Sequence, residues 1–310
     1  MRALWALVAT LALCLAARVD AVEPPQAEPG AHDPTLLIQA DRWFVFTTGK
    51  GLQRLASGDR GKTWQRLAPV FEQAPAWWAQ AVPEHKGLDV WAPKVFQHQG
   101  RTWLLYSIST FGKNRSAIGL ASSDRPDGSE WRDDGLVVQS VATDNFNAID
   151  PDLFVDTDGK LWLSYGSFWG GLRLTQLDAA TLKPIGSTRF IARSPAIEAP
   201  TIVRRGDWVY LFASYDLCCK GADSTYNVRV GRARAVTGPY LDRDGRDLMD
   251  GGGTQLLAAT GTRWKGPGHQ DVVGDVMVHH AYDTERGGKP HLRIARLSWS
   301  ADGWPVIQEE

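Results

Sequence analysis

Five short stretches carry the side chains able to do chemistry. They are "HDPTLL" with Asp33, "WAPKVF" with Trp91, "IDPDLF" with Asp150, "EAPTIV" with Glu198 and "GPGHQDVV" with His269. Each stands directly before an apolar run of strand-forming residues. One Asp-Pro at a strand entry is ordinary turn chemistry, because Asp bonds its own backbone and Pro fixes φ. Three carboxylates at corresponding places in a repeat are a different matter. Brought into one cleft, they repel one another and lose hydration, which splits their proton affinities. Acid–base chemistry needs that split, with one acid protonated and another ionised to activate water. With tryptophan beside them, the chemistry indicated is glycoside hydrolysis. The sequence has no GxxxxGK[ST] phosphate cradle and no GxSxG nucleophile elbow.

The elements that must position these residues repeat. "DLFVDTDGKLWLSYGSF" is followed by "GGLRLTQLDAATLKPIG", an apolar strand, a tight turn, an aromatic-rich strand and a further hairpin. The same order begins at "TLLIQADRWFVFTTG", "KVFQHQGRTWLLYSIS", "TIVRRGDWVYLFASY" and "DVVGDVMVHHAYD". Period-two alternation dominates and no helical stripe separates the units. Repeats of roughly 50–70 residues with about four strands each are propeller blades. The expected fold is therefore all-β, a five-bladed β-propeller in a single domain over residues 31–310. First strands line a propeller's channel, so the five stretches should meet at one end of it. "SGDRGKTW" (57–64) has the pattern of an Asp-box turn, and "DTDGK" (156–160) that of a hairpin turn rather than a calcium loop. "NRS" at Asn114 is a glycosylation sequon.

Bulk features narrow the partners. Residues 1–21 read as a signal peptide, with a charged start, a short apolar run and small residues before Val22. Residues 22–30 read as a flexible Pro-rich lead-in, and the expected location is secreted or periplasmic. A net charge of −1 without a basic block excludes nucleic acid and anionic membrane as partners. The chain is expected to work as a monomer. Beyond the leader, the only cysteines are the neighbours Cys218 and Cys219, so no disulfide framework holds the fold.

The ordered set "HDP", "WAP", "NAIDP", "SFWGG", "IEAP", "SYDLCCKG", "GGGT", "GPGH" and "HAYD" resembles the arabinanases of glycoside hydrolase family 43. That resemblance implies inverting hydrolysis of α-1,5-linked L-arabinan, the polysaccharide of pectin side chains. By motif, Asp33 is the general base, Glu198 the general acid, and Asp150 the carboxylate that tunes and orients the acid. An inverting pair stands roughly 6.5–9.5 Å apart. His269 corresponds to the residue that reaches a calcium ion on the channel axis, while His280 is expected to be packed or hydrogen-bonded. Trp91, Phe111, Asn147, Ser167 and Trp169 correspond to sugar contacts, and the cysteine pair to a wall of the cleft. Lys94, Gln270, Asp271 and the loop carrying Trp77 and Trp78 depart from the family pattern and are expected near the cleft or its rim. An exo-acting α-L-arabinofuranosidase or β-xylosidase remains an alternative, as does a non-catalytic carbohydrate-binding propeller. A sialidase would need an arginine cluster and a Tyr–Glu nucleophile, which the repeat heads do not supply.

Overall fold

Alternating apolar residues punctuated by Gly and Asp turns fold as antiparallel hairpins throughout residues 26–308, which the computed structural model describes. The expected signal peptide, residues 1–21, lies outside the described residues. Five sheets form in chain order. Blade I pairs Thr35–Gln39, Arg42–Thr47, Gln53–Ser57 and Gln65–Leu67. Blade II pairs Asp89–His98, Arg101–Ile108, Ser116–Ser123 and Arg132–Ser140, and Gly49–Lys50 adds a short inner edge to it. Blade III uses Asp152–Val155, Leu161–Ser167, Gly171–Leu177 and Pro184–Ala192. Blade IV uses Ile197–Arg205, Trp208–Tyr215, Asn227–Ala233 and Thr254–Leu257, and blade V uses Trp264–Val273, Val276–Asp283, Lys289–Trp299 and Pro305–Gln308. The architecture is the expected five-bladed propeller.

The apolar core is divided among the seams between blades. One cluster joins blades I and II through Phe46, Val95 and Tyr106, and another joins II and III through Phe96, Leu120 and Leu163. Phe154, Leu174 and Leu211 join III to IV, Phe212, Val272 and Met277 join IV to V, and Leu36, Val278 and Leu292 join V to I. Burying these faces against one another, at about 25 cal/mol per Å² of apolar surface, holds the blades in a ring.

The last seam joins the two ends of the chain. No strand crosses it among the described residues, since blade I is wholly N-terminal and blade V wholly C-terminal. Residues 26–30 close it instead, with bridges from Gln26 to Trp64 and from Gly30 to His291. Glu28 pairs with Arg263, Arg286 and Arg293 at 3.2, 3.2 and 3.1 Å. The segment expected to be a flexible lead-in is thus bonded in place from Gln26 onward.

Several local expectations can be read off the structure. The Asp-box turn is present: Asp59 accepts from the Thr63 amide at 2.9 Å and its hydroxyl at 2.6 Å, and Trp64 is buried beneath. The "DTDGK" stretch is a hairpin turn between two strands of blade III. Asn114 is buried, its amide donating to Asp144 O at 2.9 Å, so the sequon is not displayed. The loop with Trp77 and Trp78 corrects an expectation, because it does not reach the cleft rim. It forms a short helix, Ala76–Ala81, that drops Trp78 into the blade I–II seam, where its indole N–H donates to Tyr106 Oη at 3.2 Å.

Candidate active site

The inner strands open onto a cleft of about 240 Å³ at one mouth of the channel. In every blade the residue at this mouth has left-handed backbone: Asp33 (φ 52°), Ala92 (38°), Asp150 (55°), Ala199 (51°) and His269 (49°). Such a conformation costs a non-glycine residue about 1–3 kcal/mol and persists only where the surroundings impose it. Here the preceding blade imposes it each time. The amides of Asp33, Ala92, Asp150 and His269 donate to His280 Nδ1, Thr48 Oγ1, Ser107 Oγ and Ser214 Oγ, at 3.2, 2.8, 3.1 and 2.8 Å. The Ala199 amide donates to Asp150 Oδ2 at 3.2 Å. Strand register breaks at the same place in blades II, IV and V. Breaking the alternation lets successive side chains face one side, so Trp91 and Ala92 both line the cleft; at the heads of blades I and III, just before the strands begin, so do His32 and Asp33 and Ile149 and Asp150.

This register corrects the alignment of the repeat heads. Ala199, not Glu198, is the counterpart of Asp33 and Asp150, as Pro34, Pro93, Pro151 and Pro200 mark. Glu198 occupies the preceding position, shared with His32, Trp91, Ile149 and Gly268, and it still lines the cleft.

Asp33, Asp150 and Glu198 share that cleft with His269, but their protons are held differently. Asp33 Oδ1 lies 3.1 Å from His269 Nδ1, while Oδ2 lies 2.9 Å from His32 Nδ1 and accepts from Thr48 Oγ1 at 2.6 Å. Burial pushes this carboxyl up, yet His269 and His32 outweigh it and hold Asp33 well below the usual carboxylate range. Burial likewise lowers His269, but Asp33 more than reverses this and raises the imidazole to about 9. Asp150 is raised well above the usual range by burial and by the nearby Glu198 and Asp33. Burial also raises Glu198, against a 2.7 Å hydrogen bond that its Oε1 accepts from Tyr226 Oη. The charge of Glu198 is among the causes that raise Asp150, so the proton affinities of these two carboxyls are linked. The site therefore sets Asp33, held toward its ionised form, in one cleft with two carboxyls whose hold on a proton is strengthened.

Trp91, Phe111, Asn147, Ser167 and Trp169 all line the cleft, as expected. Phe111 is 73% exposed, whereas Asn147 and Ser167 are buried, with Asn147 Oδ1 accepting from Ser116 Oγ at 2.6 Å. Phe168, not foreseen, is half exposed and stacked against Trp169 with ring centroids 5.8 Å apart. Also unforeseen are His32, Thr48 and Tyr226. His32 sits in the "HDP" motif, but nothing in the sequence ties Thr48 or Tyr226 to the heads. Cys218 and Cys219 wall the cleft and are disulfide-bonded to each other. His280 is fully buried; its Nδ1 accepts from the Asp33 amide and its ring stacks on His32. A larger hollow, about 460 Å³, lies near the closing seam, but Glu28, the sole carboxylate lining it among the described residues, is already tied to arginines.

The calcium expectation can be tested on the donor set. Calcium takes six to eight oxygen ligands. His269 Nδ1 already faces Asp33, and Gln270 Oε1 accepts from Ser214 Oγ at 2.9 Å. The carboxylates one layer deeper, Asp152 and Asp271, both close on the Lys94 ammonium. Among the described residues, the protein groups at this level do not themselves supply calcium the oxygen shell it takes. Of the two places expected for them, near the cleft or at its rim, Lys94, Gln270 and Asp271 take the first, directly beneath the cleft.

Comparison with known proteins agrees with this geometry. Residues 25–305 match the family described as Glycosyl hydrolases family 43. The extracellular endo-α-(1→5)-L-arabinanase 1 of Bacillus subtilis (strain 168) is 44% identical, over 97% of this chain and 94% of its own length. The extracellular exo-α-(1→5)-L-arabinofuranosidase ArbA of Cellvibrio japonicus (strain Ueda107) is 40% identical, over 100% and 92%. The solved structure of a GH43 endo-arabinanase from Bacillus licheniformis superposes with a TM-score of 0.86 at 48% identity, covering 89% of this chain and 97% of that one. With the fold and the family match both on nearly the whole described chain, this protein is a member of glycosyl hydrolase family 43, a glycosidase.

Proposed function

We propose that this chain hydrolyses α-1,5-linked L-arabinan from within the polymer, by single displacement with inversion. One observation carries the reading: Asp33, bonded to two imidazoles and a threonine hydroxyl that favour its ionised form, shares a substrate-sized cleft with Asp150 and Glu198, two buried carboxyls whose pKa is raised. Asp33 takes a proton from a water that attacks the anomeric carbon, and Glu198 gives its proton to the departing glycosidic oxygen. Asp150 accepts the Ala199 amide beside Glu198, and the two buried carboxyls, whose proton affinities are linked, are the means by which Asp150 orients and tunes the acid. Trp91 and Phe111 from blade II and Trp169 from blade III supply apolar faces for sugar rings. Arabinan is favoured over other glycosides by the names of the relatives. Their extracellular location supports a secreted enzyme.

The test is purified protein on linear 1,5-arabinan, followed by new reducing ends, by early product lengths and by the anomer first released. Mixed oligosaccharide lengths at early times support internal cleavage; a single short product from the outset replaces it with the exo reading. Binding without release would make the propeller a carbohydrate-binding module. Glu198→Gln is expected to cost 10²–10⁴-fold on arabinan and much less on aryl glycosides with good leaving groups. Equal losses on both substrates would count against Glu198 as the acid.

A further inference from the structure

Beneath the acids the channel carries a cation of its own. Two residues beyond each head stand Thr35, Lys94, Asp152, Thr201 and Asp271, one pleat deeper along the inner strands. Lys94 Nζ lies 2.6 Å from Asp271 Oδ1, to which it donates. It also forms an ion pair at 2.7 Å with Asp152 Oδ1, at angles outside hydrogen-bond geometry. The Lys94 side chain is 13% exposed and both carboxylates are buried. Asp271 Oδ2 accepts from Thr35 Oγ1 at 2.7 Å and the Leu36 amide at 2.9 Å, and Asp152 Oδ2 accepts from the Ile202 amide at 2.8 Å. Thr201 Oγ1 closes the ring by donating to Gln270 O at 2.7 Å. Through one ammonium and two carboxylates, every blade is bonded into this layer.

We propose that Lys94 is the axial cation of this chain, standing where a divalent ion would otherwise be needed and fixing the strands that present Asp33, Asp150 and Glu198. Two carboxylates buried side by side require a compensating positive charge. The lysine supplies it covalently, with three donors and no demand for a six-to-eight-oxygen shell. Once it is in place, a metal at the same level would meet a like charge in a poorly screened interior. The oxygens it would need are already engaged. Lys94 acts through the strands, not on the sugar, so it is a positioning residue.

The experiment compares wild type and Lys94→Ala, each dialysed against EGTA and then titrated with calcium chloride alone. For wild type, elemental analysis should find far less than one metal ion per chain, and neither chelation nor calcium should move Tm or kcat. Lys94→Ala leaves Asp152 and Asp271 facing each other without a cation. Its Tm should fall by roughly 10 °C, and kcat should fall with KM little changed. Calcium should reverse both losses in Lys94→Ala but not in Lys94→Met, whose side chain fills the space. Stoichiometric metal in wild type, or a Tm that drops on chelation, overturns the proposal. So does a Lys94→Ala protein that keeps wild-type Tm and kcat, or one whose losses calcium does not reverse. Should Lys94→Ala fail to fold, the wild-type metal content and melting curves decide alone. Melting and metal content need no substrate, so they stand even if arabinan is not the glycoside cleaved.

Discussion

Replacing Tyr226 by phenylalanine removes one oxygen and tests how the acid is tuned. Tyr226 is 1% exposed, and its hydroxyl donates to Glu198 Oε1 at 2.7 Å. A hydrogen bond to an ionised group is worth about 1.5–3 kcal/mol, against about 0.5–1.5 for a neutral partner. The bond therefore favours ionised Glu198 over its protonated form by about 1–1.5 kcal/mol, the difference between those ranges. Without it, Glu198 should hold its proton about tenfold more tightly. The alkaline limb of the pH profile of kcat/KM reports loss of the acid's proton, so in Tyr226→Phe it should move up by about one pH unit. The acidic limb, assigned to Asp33, should stay in place, because Thr48, His32 and His269 are untouched. The phenyl ring still fills the space against His280, whose ring lies 5.8 Å away at 20°. Initial rates on arabinan across the pH range, with thermal melting as a control, give the answer. An alkaline limb that stays put or moves down, in a protein that melts normally, refutes the assignment of Glu198 as the proton donor.

Two further substitutions probe the same frame. Gly268→Ala would put a methyl 2.1 Å from the Tyr226 ring. It is expected to cost about 1–3 kcal/mol in urea unfolding through overpacking, with kcat reduced as Tyr226 is pushed off Glu198; an unchanged kcat would show that the contact is not needed. His269, raised to about 9 by Asp33, contributes stability that is complete below its unfolded value of about 6.5 and lost as pH rises through about 9. The stability gap between wild type and His269→Gln should thus be about 3 kcal/mol near pH 6 and shrink toward pH 9.5. A gap independent of pH would argue that the imidazole is neutral.

The repeat order was legible because each blade restates the same turn and strand chemistry, and it led to the right fold and to a shared cleft. What misled was chemical type. Aligning on carboxylates paired Glu198 with Asp150, although the prolines at 34, 93, 151 and 200 already marked the register one residue later. Thr48 and Tyr226 could not be foreseen, since each reaches the site from a neighbouring strand at no fixed sequence offset from its partner. Trp77 and Trp78 were misplaced because a six-residue helix is too short to leave a periodic stripe. Lys94 could be flagged as unusual, but its two partners, 58 and 177 positions further along the chain, become visible only when the ring is closed.

The closing seam has a consequence for how the activity appears during folding. Asp33 belongs to the first blade, and His269, one of the two imidazoles bonded to it, belongs to the last. A chain with four blades assembled and the ends still apart would own every catalytic side chain yet leave Asp33 unplaced against His269. Turnover therefore reports on the final docking event, and any lesion that loosens Glu28 from its three arginines should silence the enzyme before the blades themselves melt. Moving the termini to another seam by circular permutation would separate these events, since the first and last blades would then be joined by a peptide bond.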